Sequence, residues 1–428
     1  MNIQPVKGMR DFYPEEMEKR NWLFTKFRDS ARRFNYREYE PSILEHEEIY
    51  IRKAGEEITD QLYNFEDKGG RRVSLRPELT PSLARLILAR GSEYSLPIRW
   101  FSIPQCFRYE KMQKGRKREH FQWNMDVVGE PGIVAEVELM AVLADFFESV
   151  GLSSDDVRIN FNNRKILSEV LSRAGLPDER FAEVSVIIDK REKIGDRAVS
   201  EILGEIGVES GVIDTVIGFV NAPDLTGVES CLGYMPEAAG EIDEIVAKGS
   251  MYGIGDYLRF SPSLIRGLAY YTGTVFEAFD VSGSQRAICG GGRYDRLLST
   301  FGGKDLPMAG FGFGDVVISL ILEEKGLFPE SFHTGPKVLV TAFSSGEDAA
   351  AISAARRLRS ANLPVELDLS YRKLKKLFSK ADKEGFSHVV VAAPDEVKAG
   401  NVSVKNLKTG SQEAVALRAV ADSVTGAV

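Results

Sequence analysis

The sequence predicts an α+β fold built from more than one unit, and three observations carry that expectation. Residues 98 to 128 read as an antiparallel hairpin, because the return segment alternates apolar and polar residues with the period of a strand. Residues 164 to 255 turn helix-rich and polar and resemble neither flank, which predicts an inserted helical domain. Residues 336 to 428 alternate short strands with helices as a small α/β module. The expected organisation is therefore a core in two parts, 1–163 and 256–330, interrupted by the insertion and followed by the C-terminal module.

Length and composition agree with this division. A chain of 428 residues exceeds one ordinary core, and 43% hydrophobic with 28% charged residues is a soluble globular balance. No apolar run reaches the ~18 residues of a membrane span, and the first residues carry no signal-peptide core, so the cytoplasm is the expected location. Cys106, Cys231 and Cys289 are widely spaced and the four histidines have no ligand spacing, so neither a disulfide framework nor a side-chain metal cluster is expected. A net charge of −8 argues against a basic coat but leaves room for local patches. Two stand out: "KMQKGRKR" (111–118), with five cations in eight residues, and the lysine-rich segment 371–383.

The elements follow in order. Met17, Phe24, Phe27, Ala31 and Phe34 fall at helical spacing behind Pro14, which predicts a packing helix over 14–34. A strand over 71–75 gives way at Pro77 to a helix with Thr80 as N-cap and Pro81 in its first turn, so Glu78 sits at the junction. In the return strand of the hairpin, Phe121, Trp123, Met125 and Val127 face one way and Gln122, Asn124 and Asp126 the other. That polar face either lines a site or meets water, and alternation alone leaves both open. A long, nearly all-apolar helix then runs to Gly151. Strand signals resume with "RFSPSLIRGLAYYTGTVFEAFD" (259–280), where Arg266 is anomalous: a buried, unpaired guanidinium costs several kcal/mol, so it must be solvated, paired or waiting for an anion.

Two glycine-rich stretches invite nucleotide readings and fail them. "GFGFGD" (310–315) has the wrong spacing for a dinucleotide fingerprint, and "CGGGRYD" (289–295) lacks the GK[ST] of a P-loop. Close approach of a ligand to the backbone accounts for the first and tight turns beside a ligand for the second.

The order of these features is more informative than any one of them. "KGMRDFYP" (7–14), "LRPELT" (75–80), "FRYEKMQKGRKREHFQWNMDVVG" (107–129), "IRGLAYYTGTVFEAF" (265–279) and "GGGRYD" (290–295) together resemble the histidyl-tRNA synthetase family of class II aminoacyl-tRNA synthetases. The resemblance spans essentially the whole chain. It implies a class II core of antiparallel sheet flanked by helices, a helical insertion, a C-terminal anticodon-binding domain and a homodimer formed around Pro41. The implied partners are L-histidine, ATP with Mg²⁺ riding on its phosphates, and tRNA-His, with no membrane.

Residue roles follow from the same resemblance. Arg108 would bridge the histidine carboxylate and the α-phosphate, and Arg266 would approach the same centre from the other side. Glu78, Thr80 and Gln122 would receive the ammonium; Asp126, Tyr270 and Tyr271 would read the imidazole. Gln113 and Arg116 would meet the tRNA acceptor end, and the lysine-rich helix would meet phosphates near the anticodon. Two positions depart from the family pattern: Ala269 stands where an aspartate is usual, and Val317 where motif 3 carries an arginine for the ATP γ-phosphate. Arg293 is the expected replacement cation. These departures raise an alternative, a non-aminoacylating histidine-binding paralogue like the regulatory subunit of ATP phosphoribosyltransferase. The retained C-terminal module, Arg108, Arg266 and Glu78 favour the enzyme.

Overall fold

Strand alternation organises the first of the two units into which the chain divides after Phe328. The computed structural model describes residues 3–54, 56–113, 115–265, 271–332 and 335–426; Arg266, Ala269 and Tyr270 lie outside them. Among the described residues, a nine-stranded sheet runs in the order Arg37–Glu38, Ile98–Ser102, Glu119–Val128, Met308–Gly314, Cys289–Arg293, Thr274–Asp280, Val157–Asn163 and Leu258–Phe260, with Gln105–Phe107 paired beside Glu119–Val128. The central pairings are antiparallel, as expected, while the pairings at the two edges are parallel.

One face of this sheet is core. Trp123 pairs with Phe313, Met125 with Phe311 and Val127 with Ala309, and all six side chains are buried on the same side. Helices Pro14–Arg33 and Val134–Ser149 cover them. The Phe27 ring lies 4.7 Å from Trp123 and 4.8 Å from Phe146, which in turn lies 5.2 Å from Phe313. Each such ring taken out of water contributes about 1.5–3 kcal/mol. The Val134–Ser149 helix is buried almost all round, which accounts for its apolar sequence, and Gly151 leaves it at φ +85°.

Three sequence expectations change in detail. Residues 259–280 do not form one strand: Leu258–Phe260 is followed by a turn at Pro262, and the chain bends at Gly273 before Thr274–Asp280 begins. The "CGGGR" stretch is a central strand rather than a turn. Its glycines answer to crowding, since a Cβ on Gly291 would lie 2.3 Å from the Gly310 carbonyl oxygen and 2.6 Å from the Phe311 Cβ. The helix after Pro77 begins at Thr80 without a side-chain cap. The helical stretch 164–255 comprises Arg164–Arg173, Phe181–Asp189, Arg191–Glu205, Ser210–Val220, Leu225–Leu232 and Ala239–Met251. Val184, Leu203, Val216 and Ile245 from these helices join the same apolar cluster as the sheet.

Arg293 is also placed differently from expectation. It is buried, donates twice to Glu136 at 2.6 Å, and donates to the Gly132 and Glu130 carbonyls at 2.9 and 3.1 Å. This bidentate pair ties the first turn of the Val134–Ser149 helix to the sheet, so the guanidinium is committed to structure and does not replace a nucleotide-binding cation.

In the second unit, Val365–Asp368, Val338–Ala342 and His388–Ala392 are parallel, and Asn401–Asn406 and Gln412–Ala416 extend the sheet antiparallel. Val338 and Val340 pack with Ala351 and Leu358 of the Asp348–Ser360 helix, whereas Leu339 packs with Leu377 of the Leu374–Lys383 helix. With both faces covered, the strand Val338–Ala342 is buried throughout, which explains its largely apolar sequence; its one hydroxyl, Thr341, donates to the Asp368 carbonyl at 2.8 Å. The lysines of the Leu374–Lys383 helix occupy the face opposite Leu377 and Ala381.

The Arg293–Glu136 pair carries a stability prediction. Glu136→Gln leaves the buried guanidinium with only the longer contact to Asp295, at 3.4 Å, for a carboxylate, at a cost of about 3 kcal/mol. Thermal unfolding of the first unit, followed by calorimetry, should shift down by several degrees; an unchanged transition would contradict the structural role given to Arg293.

Candidate active site

The face of the sheet opposite the aromatic core is the floor of a cleft of about 1000 Å³. The pairing that buries Trp123 and Phe313 sets Asp126 opposite Gly310, Asn124 opposite Gly312 and Gln122 opposite Gly314. Polar side chains and bare glycine backbone thus alternate across adjacent strands. Space requires glycine at 310, where a Cβ would meet Asp126 Oδ1, the Tyr294 hydroxyl and the Met125 carbonyl oxygen, while a Cβ on Gly312 would displace the end of the Gln122 side chain. The polar face of the return strand therefore lines a site and is not simply wetted.

One end of the cleft gathers carboxylates and hydroxyls. Asp126 is buried and accepts a short hydrogen bond from the Tyr294 hydroxyl. Burial pushes its pKa up to about 7, against the opposing pull of Tyr294 and Lys53. Tyr271 is buried beside it, its ring 6.5 Å from that of Tyr294. Glu78, at the strand-to-helix junction, accepts from Lys53 Nζ at 2.5 Å and from Thr80. Burial raises the Glu78 carboxyl, but Lys53, Arg108 and these hydrogen bonds outweigh it and hold the group below its ordinary range. Gln122 and Asn124 bond to each other at 3.2 Å, and Gln122 Oε1 lies 3.3 Å from His120. Burial and the charge of Arg108 push His120 down to about 3, so its imidazole is neutral.

Toward the mouth the character turns basic. Arg108 follows the Gln105–Phe107 strand and donates from Nε to the Pro77 carbonyl at 2.9 Å, which aims its remaining donors at the cleft beside Glu78. Gln113 and Arg116 pair across a tight loop in which Gly115 takes φ +75°. Arg116 is bonded to Glu110. Burial lowers its pKa against the pull of Glu110, and Arg286 and Arg108 push in the same direction as burial, a sign of concentrated positive charge. Lys117 and Arg286 line the same region.

The structure brings Arg108, Glu78, Thr80, Gln122, Asp126, Tyr271 and Arg116 to one cleft, with Gln113 at its rim. Arg293 lies behind the sheet, bound to Glu136. Arg266 and Tyr270 fall outside the described residues. Sequence reasoning missed Lys53, His120, Asn124 and Tyr294 as site residues. Asn124 was on the polar face already identified and Tyr294 within the quoted "GGGRYD", so both were within reach; nothing local marked Lys53.

Comparison with known proteins accords with this arrangement. The histidyl-tRNA synthetase family model matches residues 8–314, and an anticodon-binding domain model matches residues 337–426. A chloroplastic/mitochondrial histidine–tRNA ligase of Arabidopsis thaliana is 45% identical over 97% of this chain and 86% of its own length. A histidine–tRNA ligase of Opitutus terrae is 36% identical over 96% of this chain and 95% of its own. The crystal structure of a Nostoc histidyl-tRNA synthetase superposes with a TM-score of 0.83 at 25% identity, covering 100% of both chains. With a glycine-floored, cation-rimmed cleft in the first unit and an anticodon-binding module in the second, the chain belongs to the histidyl-tRNA synthetase family.

Proposed function

We propose that this protein is a histidine–tRNA ligase: it joins L-histidine to ATP as histidyl-adenylate and transfers the acyl group to the 3′ end of tRNA-His. The observation that carries this reading is the polarity of the cleft. Asp126, Tyr271, Tyr294 and Glu78 sit at one end, Arg108 adjoins Glu78, and further arginines rim the mouth. A neutral imidazole offers one donor and one acceptor, which a carboxylate and a hydroxyl match. Glu78 and Gln122 suit the ammonium, with Thr80 holding Glu78.

In the first step a histidine carboxylate oxygen bonds to the α-phosphorus while the bond to the β-phosphate breaks and pyrophosphate leaves. Arg108 lies where its planar fork can hold both carboxylate and phosphate oxygens as charge gathers on them. Arg266 is assigned to the same centre by the family motif alone. Mg²⁺ enters with ATP as part of the substrate, and the Glu277 carboxylate lining the cleft is a suitable oxygen donor toward it. In the second step a terminal ribose hydroxyl attacks the acyl carbon and AMP departs. The loop of Gln113 and Arg116 would guide the acceptor end, and the lysine-rich helix Leu374–Lys383 the phosphates near the anticodon. A homodimer through the Pro41 segment completes the proposal; buried Arg76 holds that segment by donating to the Pro41 carbonyl at 2.9 Å. The regulatory alternative is not favoured, since the relatives covering nearly the full chain are named as ligases.

Histidine-dependent ATP–pyrophosphate exchange, followed by charging of tRNA-His, tests the proposal. Exchange with histidine alone among the amino acids is expected, and a folded protein without exchange would refute it. Arg108→Ala should lower the exchange rate by about 100-fold or more, and an unchanged rate would remove Arg108 from the reaction. The titration of Asp126 adds a pH test. A ring N–H donates best to a carboxylate, so histidine binding should expel the Asp126 proton, and the dissociation constant should fall between about pH 6 and pH 8. Asp126→Asn should leave only the change due to the substrate imidazole, which titrates at about 6.5; an identical pH dependence in the variant would show that Asp126 does not read the ring.

A further inference from the structure

Of the five cations lining the cleft, Lys53 donates to Glu78 and Arg116 to Glu110, and Arg108 is fixed by the Pro77 carbonyl. Lys117 and Arg286 have no carboxylate partner among the described residues, and of the two it is Arg286 that has the planar fork suited to phosphate oxygens. It is exposed to the cleft and has no carboxylate partner among the described residues; its one polar contact there is a long one, 3.5 Å to Gln113 Oε1. It is close enough to Arg116 to push that guanidinium's pKa down. A guanidinium held near another cation, without a neutralising acid, is arranged for a polyanion.

Its place in the sheet says which part of the nucleotide it can reach. Gly290 pairs with Gly312, and the Gly314 N–H donates to the Ile288 carbonyl at 3.4 Å, so residue 286 continues past the Gly314 end of the floor. Asp126 pairs with Gly310 at the other end, four residues along the strand and therefore about 13 Å away. With histidine at Asp126 and the α-phosphate at Arg108, the outer phosphates extend toward the basic mouth. The wall there carries Val317, apolar and 7% exposed, where the family pattern expects a cation.

We infer that Arg286, on the loop between Thr274–Asp280 and Cys289–Arg293, grips the β- and γ-phosphates of ATP and stabilises pyrophosphate as it leaves, in place of the cation absent at Val317. The inference rests on the ligase reading above. It assigns Arg286 contact with the leaving group and none with histidine or the adenosine moiety.

The test compares Arg286→Ala and Arg286→Lys with the unaltered protein in the exchange assay, together with binding of a non-hydrolysable sulfamoyl analogue of histidyl-adenylate, which lacks the outer phosphates. Arg286→Ala should raise the KM values for ATP and pyrophosphate about tenfold or more, leave the KM for histidine and the affinity for the analogue within about twofold, and be partly rescued by Arg286→Lys. An unchanged KM for ATP, or equal losses for ATP and the analogue, would overturn the inference. If the unaltered protein shows no exchange, the ligase reading itself fails; calorimetric binding of ATP to the unaltered protein and to Arg286→Ala then still decides whether Arg286 holds its phosphates.

Discussion

The pairing of Glu119–Val128 with Met308–Gly314 is the constraint on which the rest of the first unit depends. In one register it sends Trp123, Met125, Phe311 and Phe313 into the aromatic core, and Gln122, Asn124, Asp126 and a row of glycines into the cleft. A slip of one residue would put tryptophan in the cleft and aspartate against Phe27. Core and site are therefore not independent. The free energy that buries the aromatic face also positions the polar one, and the helices behind the sheet support the floor in front of it.

Charge in the cleft is arranged by the same economy. The chain is acidic overall, with a net charge of −8, yet its cleft concentrates Lys53, Arg108, Arg116, Lys117 and Arg286. Lys53 and Arg108 keep Glu78 ionised despite its burial, whereas Asp126, with Tyr294 as its close partner, is pushed toward neutrality. Two carboxylates of one cleft thus titrate in different ranges, which suits one to an ammonium charged at neutral pH and the other to a titratable ring. The cations follow a similar division between those held by acids and those left for a ligand.

Much of this was legible in the sequence, because the signals were local. Period-2 alternation from Phe121 to Val127 identified both faces of the return strand, and Pro77 located Glu78 at its junction. The motifs that resembled the family named Arg108, Gln122 and Asp126 in one series. What escaped were relations between distant residues. Arg293 is separated from Glu136 by 157 positions, and only the fold reveals that its donors are already used. Lys53 reaches Glu78 from a helix with no distinguishing pattern. "CGGGR" looked like a turn because glycine usually marks one, while its true cause was crowding between adjacent strands and the Phe276 and Phe311 side chains.

If one strand register makes both the core and the substrate floor, a change confined to the floor at Gly312 should alter the site and spare the core. The missing Cβ there is what leaves room for Gln122, whose side-chain end can swing away without disturbing backbone. The measurement is histidine-dependent ATP–pyrophosphate exchange by Gly312→Ala, alongside its melting temperature. The variant should fold with a near-native melting temperature and show a KM for histidine raised by about tenfold or more, the scale of a lost polar contact to substrate. Native exchange kinetics in that variant would contradict the dependence of the site on this register.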